Sequence, residues 1–227
     1  NDVDLDDDEA HTLAKDMWLE VLRDHDGYKP EAITTFVQYL DLISAHAKGF
    51  VYERAEDDEG NVNGVVWQTA TMRANFELFG GYISIDSMKR AINTFLCPYM
   101  AISMYNEVPK LCIGCEGIMC GERGDAYKFM CQFLLRNSPG RPASLVFAVA
   151  GDGFFTQEMV VAFGFLNAKF IADWYHLFST GLSDLFGETG YNIIKGHLSK
   201  MIHSKSEEYF NQALDAARAK LKSLPSR

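Results

Sequence analysis

Ser144-Leu-Val-Phe-Ala-Val-Ala150, running directly into Gly151-Asp152-Gly153, is the stretch from which the rest of the chain is best read. Its first seven residues carry no charge and are rich in branched and aromatic side chains, the pattern of a buried strand. The two glycines around Asp152 mark a turn and leave space for a ligand to approach the backbone. Upstream, Tyr82-Ile-Ser-Ile-Asp86 has the same form, a short strand ending in a carboxylate.

Between these two segments, Met100-Ala-Ile-Ser-Met-Tyr105 and Leu111-Cys-Ile-Gly-Cys115 read as strands, entered by Pro98 and Pro109. Asp125 to Arg136 reads as an amphipathic helix. After Asp152 come a helix over Gln157 to Asn167 and a short strand, Lys169-Phe-Ile-Ala-Asp173. Three strands, a helix, a strand, a helix and a strand predict an α/β fold with a ribonuclease-H-like mixed β-sheet flanked by helices. From His176 the chain reads as helical, broken near Gly187 and Gly190, with a last helix from about Ser206 to Leu224.

Ahead of this core, residues 11–24 hold Leu13, Trp18, Val21 and Leu22 near helical spacing, and a second helix runs from Glu31 to Ala47 with Ile33, Phe36, Val37, Leu40 and Ile43 on its face. Both faces need burial, which predicts that these helices lie on the flank of the sheet. A hairpin over residues 50–67 and a helix over 68–79 ending at Gly80-Gly81 complete the outline. The expected organisation is an acidic N-terminal helical extension, 1–50, and a core, 51–227, made of the hairpin 50–67, a central part 82–176 and C-terminal helices 177–224.

Composition narrows the function classes. The 227 residues are 48% hydrophobic and 23% charged, which suits one globular core and not a disordered chain. The net charge of −10 is uneven: residues 1–60 hold 17 acidic and 5 basic side chains, residues 61–227 hold 14 and 16. The acidity therefore belongs to the N-terminus, whose run Asp2, Asp4, Asp6, Asp7, Asp8 and Glu9 reads as a solvated, frayed end. The near-neutral body is compatible with a phosphate-rich partner. No apolar run is long enough to span a bilayer and no secretory pattern opens the chain, so no membrane partner is expected. Five cysteines suggest a reducing, intracellular setting.

The chemistry follows from where the carboxylates fall. If the strands ending at Asp86 and Asp152 are neighbours, two carboxylates come within reach of one another, and a divalent cation relieves their repulsion. Glu207 and Glu208, at the start of the last helix, are candidates for a third. Two-metal phosphoryl transfer is the reaction such a set supports. The plainer alternatives are that Asp86 and Asp152 are turn residues, and that Glu207 and Glu208 complement a helix dipole behind a Ser204 or Ser206 cap.

From Gly64 to about Leu214 the chain resembles the transposase core of Mutator-like elements. The resemblance is carried by Val66-Trp67-Gln68 before a helix ending Phe79-Gly80, then Ile83-Ser-Ile-Asp86, then Gly121-Glu122 opening a helix with Tyr127 and Phe133. Val149-Ala-Gly-Asp152-Gly, Asp173-Trp-Tyr-His176 and Ser204-Lys-Ser-Glu-Glu-Tyr-Phe210 follow in order. The resemblance implies a DDE/D transposase that cleaves and joins double-stranded DNA (transposon ends and target) in the nucleus with Mg2+ or Mn2+. Asp86, Asp152 and Glu208, or Glu207 in its place, are the implied catalytic and metal-binding carboxylates. Asp173 and His176 match a Cys/Asp-x-x-His motif, with Asp173 orienting His176, and Lys89 and Arg90 are candidates for DNA-backbone contact. Two departures from the family pattern stand out: Gly151 where a Thr usually precedes the second aspartate, and Ser87-Met88 where a small residue and Thr usually follow the first.

Three alternatives remain. The first is a domesticated, catalytically inactive transposase-derived domain that binds DNA or protein. The second is a nuclease on RNA–DNA hybrids. The third is a zinc site at Cys112-x-x-Cys115, which lacks a second ligand pair; in a regular strand its two thiols would face opposite sides. A homo-oligomer is compatible with the sequence, and the DNA-recognition module is expected to be separate from this chain.

Overall fold

The structure, a computed structural model, describes residues 5–24, 30–88, 99–108, 110–119, 121, 123–151, 155–172, 192, 194–201, 203–204 and 206–222. It is an α/β fold built on a seven-stranded mixed sheet flanked by helices. Contacts divide the chain into two compact units, Asn1–Ile171 and Ala172–Arg227.

α1 (Asp7–Asp24) starts in a cap that the acidic run itself supplies. Asp6 Oδ1 accepts from the Glu9 N–H at 2.8 Å and Glu9 Oε2 accepts from the Asp6 N–H at 3.0 Å, a reciprocal capping box. The reading of this run as a frayed end is thereby corrected for Asp6 to Glu9: acids in a first turn satisfy orphan N–H groups and complement the helix dipole. Ala10, Ala14, Trp18 and Val21 form the buried stripe of α1, and Phe36, Val37, Leu40 and Ile43 that of α2 (Pro30–His46).

β1 (Val51–Glu56) and β2 (Val62–Gln68) form the expected antiparallel hairpin, with Val51 opposite Gln68. α3 (Ala70–Phe79) is capped by Thr69, whose hydroxyl accepts from the Met72 N–H. β3 (Tyr82–Met88), β4 (Tyr99–Tyr105) and β5 (Leu111–Met119) follow, then α4 (Gly124–Asn137), β6 (Ala148–Gly151), α5 (Gln157–Ala162) and β7 (Lys169–Ala172). Across the sheet the order is β1-β2-β5-β4-β3-β6-β7. β3 is antiparallel to β4, β4 to β5 and β5 to β2, whereas β3 and β6 are parallel.

Several elements differ in length from the sequence reading, among them β5, which runs on past Cys115 to Met119. The strand expected over 144–150 begins only at Ala148, because Pro142 starts a 3-10 turn in which Leu145 and Val146 donate to the carbonyls of Pro142 and Ala143. Those N–H groups are used locally and are not free for a ladder. The helix expected to Asn167 ends at Ala162, since Gly164 takes φ 112° and closes the C-terminus. β3 runs two residues past Asp86, pairing Ser87 with Met100 and Met88 with Tyr99.

Strand alternation divides the core between the two faces. Ile83, Ile85, Met100, Ile102 and Val66 point to the side of Phe76 (α3), Tyr127, Met130, Phe133 and Leu134 (α4) and Val160 (α5). Val65, Trp67, Tyr99 and Ile118 point to the side of α1 and α2, as their apolar stripes predict. On this second face the aromatic rings run from Trp18 to Phe36 at 5.2 Å, Phe36 to Trp67 at 5.7 Å and Trp67 to Tyr99 at 6.3 Å.

The second unit, described by itself, contains a helical stretch over 194–200 and α6 (Glu207–Lys222). Ser206 caps α6, its hydroxyl accepting from the Tyr209 N–H at 3.2 Å, and Ala213 and Ala217 are buried.

Candidate functional site

β3 owes its place to a two-residue alternation: Ile83 and Ile85 go into the core, and Tyr82, Ser84 and Asp86 face the other way. Asp86 is exposed, and its Oδ1 accepts from the Ser87 N–H at 2.8 Å. Beside it, β6 pairs in parallel with Tyr82 opposite Ala148, Ile83 opposite Val149 and Ser84 opposite Ala150. One step further along this register, Gly151 comes level with Ile85, the residue before Asp86. The strand bearing Asp86 and the strand leading to Asp152 are therefore direct neighbours running the same way.

Asp152 itself lies outside the described residues, as do Asp173, His176, Lys89 and Arg90. Glu207 and Glu208 are described, in the second unit, where both are exposed in the first turn of α6. Glu208 Oε1 accepts from the Gln212 side chain at 3.4 Å, one turn on. Of the two cap candidates, Ser206 is the one whose oxygen accepts from a helix N–H, so the two acids sit where they complement the dipole.

Gly151 has a packing reason. A Cβ built there would approach Cδ2 of Phe155 to 2.4 Å, and Phe155 is a buried ring stacked edge-on against Tyr127 at 4.6 Å and Phe163 at 5.8 Å. A threonine before Asp152 has no room unless this aromatic cluster moves, which gives a local cause for one departure from the Mutator-like pattern.

The best-organised ionisable group among the described residues is one the sequence reading missed. Glu116 on β5 has a fully buried side chain on the α1 and α2 face. His11 Nε2 lies 2.8 Å from its Oε2 and Lys15 Nζ lies 3.0 Å from its Oε1, both reaching down from α1. The Tyr99 hydroxyl donates to Oε1 from β4, and Lys15 also sits 5.6 Å above the Tyr99 ring. Burial pushes the Glu116 carboxyl up, but the close approach of His11, the hydrogen bond from Tyr99 and the charge of Lys15 outweigh it, leaving it below its ordinary value and ionised. Burial, with the Glu116 charge added, pushes the Tyr99 phenol up, so it stays protonated as a donor.

Asp86 and Glu116 belong to one row. Asp86 pairs with Ala101, Ala101 with Glu116, Glu116 with Trp67 and Trp67 with Tyr52, and directly opposed residues share a face. The two carboxylate-bearing positions are two strand spacings apart, roughly 10 Å between backbones.

The cysteine pair differs from its expected geometry. Ile102 faces Cys115 while Ser103 faces Ile113, so Gly114 is an extra residue in β5, a bulge. The bulge resets the alternation, and Cys112 and Cys115 both pack toward the α4 side instead of opposite sides. The carbonyls exposed there are taken up by neighbours: Gln68 Nε2 donates to the Gly114 carbonyl at 2.7 Å and to Ser138 Oγ at 2.9 Å, and Asn75 donates to the Ile113 carbonyl at 3.2 Å. Cys112, Cys115 and Cys131 are free thiols, and burial pushes the last two well up, away from thiolate. Among the described residues no three His, Cys, Asp or Glu side chains group to hold a metal ion, and no helix is long and apolar enough to cross a membrane.

No protein-family model matches the chain, and no curated protein does.

Proposed function

We propose that the chain is a ribonuclease-H-like catalytic core that cleaves and joins DNA, of the kind found in Mutator-like transposases. The observation that carries this reading is the strand order β5-β4-β3-β6-β7, an antiparallel meander whose first strand, β3, lies inside the sheet against a parallel strand from beyond α4. That order supports a site at the C-terminal ends of β3 and β6, where ligands gather in sheets with parallel strands.

Asp86 suits the role because its carboxylate is exposed just past the stretch of β3 that pairs with β6, and its backbone is fixed by pairing with Ala101. Asp86 and Asp152 offer hard oxygen donors, the set that Mg2+ or Mn2+ prefers, and these two residues would hold the ion. A divalent cation bound there supplies charge neutralisation for a phosphodiester under attack. Ser87 orients one oxygen of Asp86, and Lys89 and Arg90, next along the chain, carry charge of the sign that meets a DNA backbone. The resemblance adds Glu208 or Glu207 as a further carboxylate and Asp173 with His176 as support; the reading rests on Asp86 and Asp152.

Calorimetric titration with Mn2+ and nicking of supercoiled plasmid, on wild type, Asp86→Asn and Asp152→Asn, tests this. Binding and nicking in wild type and loss of both in each variant is the expected result. Nicking that survives both substitutions overturns it. A wild-type chain that neither binds Mn2+ nor nicks, yet crosslinks to duplex DNA, replaces the enzyme with a DNA-binding relative that no longer cuts.

A further inference from the structure

The Glu116 set does not belong to the Asp86 site's chemistry, and its energetics are unusual. A buried ion pair is generally no more stabilising than well-packed apolar side chains of the same volume, whereas removing one partner is severe because a charge is left stranded. Glu116 is stranded by default. Its neighbours across the sheet are Ala101 and Trp67, and among the described residues the sheet offers it the uncharged Tyr99 hydroxyl. Among the described residues the two side chains that meet its oxygens from above, the His11 imidazole and the Lys15 ammonium, both come from α1.

The way α1 is seated sharpens the point. Its main packing partner is α2, and the aromatic path from Trp18 to the sheet passes through Phe36 of α2. Among the described residues its direct polar links beyond α2 are the two contacts with Glu116, together with Asp7, which accepts from the Thr71 N–H at the start of α3. These two side chains are themselves partly wetted, His11 28% and Lys15 41% exposed, against 1% for Glu116. Lifting α1 therefore rehydrates a carboxylate, an ammonium and an imidazole at once, a return that an apolar contact does not offer.

We infer that α1 is a clasp: a helix held on the sheet by the charge of Glu116, which opens as a unit ahead of global unfolding and bares Glu116 in the cross-strand row that also carries Asp86. Local openings of this kind are the ordinary low-energy excursions of a folded chain. The Glu116 carboxyl, held ionised by its partners, keeps the clasp shut at neutral pH.

Amide hydrogen exchange on the full chain at neutral pH tests this with Glu116→Gln, the double variant His11→Ala/Lys15→Ala, and the triple variant combining them. In wild type the amides of residues 10–21 exchange faster than those of β3, β4 and β5. Glu116→Gln raises exchange in α1 at least tenfold, and α1 stays faster than those strands. The double variant, which buries an unpaired carboxylate, is worse than Glu116→Gln or fails to fold. The triple variant returns to within about threefold of Glu116→Gln, because the stranded charge is gone. The clasp is overturned if α1 and the strands exchange at one common rate in wild type, if Glu116→Gln leaves α1 unchanged, or if the triple variant is no better than the double.

Discussion

The two faces of the sheet are built from the same strands yet solve burial differently. On the α3, α4 and α5 face, Phe76, Phe133, Ile83, Ile102 and Cys115 pack without a charge, and Gln68 Nε2 and Asn75 donate to Ser138 and the bulge carbonyls. On the α1 and α2 face an aromatic row is interrupted by Glu116 with His11 and Lys15. The first face is held by shape and area, terms that ignore pH, and the second has an ionic contribution that does not.

The largest effect that separates them is a cavity. Phe76→Ala removes a fully buried ring from the apolar face and is expected to destabilise by about 3–5 kcal/mol in urea unfolding. That loss should be the same at pH 7 and at pH 4; a pH-dependent loss would break the contrast. Next comes the charge. The folded Glu116 carboxyl lies below its ordinary value of 4.5, so its contribution is complete above that value and declines as pH falls through the folded one. The gap in urea midpoint between wild type and Glu116→Gln is therefore expected to be flat from pH 7 to 5 and to close below it, and a gap that widens toward acid would reverse the sign assigned to the pair.

A smaller effect probes the edge of the candidate site. Gly151→Ala drives a methyl into the Phe155 ring and is expected to destabilise by about 1–3 kcal/mol without changing the pH profile. Smallest is Thr69→Ala, which removes the cap of α3 and should lower stability by about 1 kcal/mol. A loss of several kcal/mol there would mean that α3 seats the apolar face by more than its packed side chains.

Much of this was legible beforehand. The hairpin, β4, α4, the two N-terminal helices and their burial on the sheet follow from alternation and helical spacing in residues such as Ile83, Ile85, Phe36 and Leu40. Asp86 stood out because a carboxylate ending an apolar run is conspicuous. Glu116 did not, since the strand was expected to stop at Cys115, one residue short of it. The cause is Gly114: its bulge breaks the alternation that marks a strand, although a lone acid followed by Gly117-Ile-Met119 was a signal available to a longer window. The early end of α5 and the late start of β6 were missed because Gly164 and Pro142 were weighed less than the apolar residues around them.

The sequence by itself determined which segments are helix or strand and which face of each is apolar, because those are properties of neighbouring residues on a regular backbone. It also determined that β3 and β6 each lead to an aspartate. Only the tertiary structure decided that β3 and β6 lie side by side, that Gly151 must be glycine because Phe155 returns against it, and that Glu116 is buried and ionised. The physical reason is common to all three. Strand pairing, close packing and the desolvation of a charge depend on groups brought in from elsewhere in the chain, and no local window contains both His11 and Glu116.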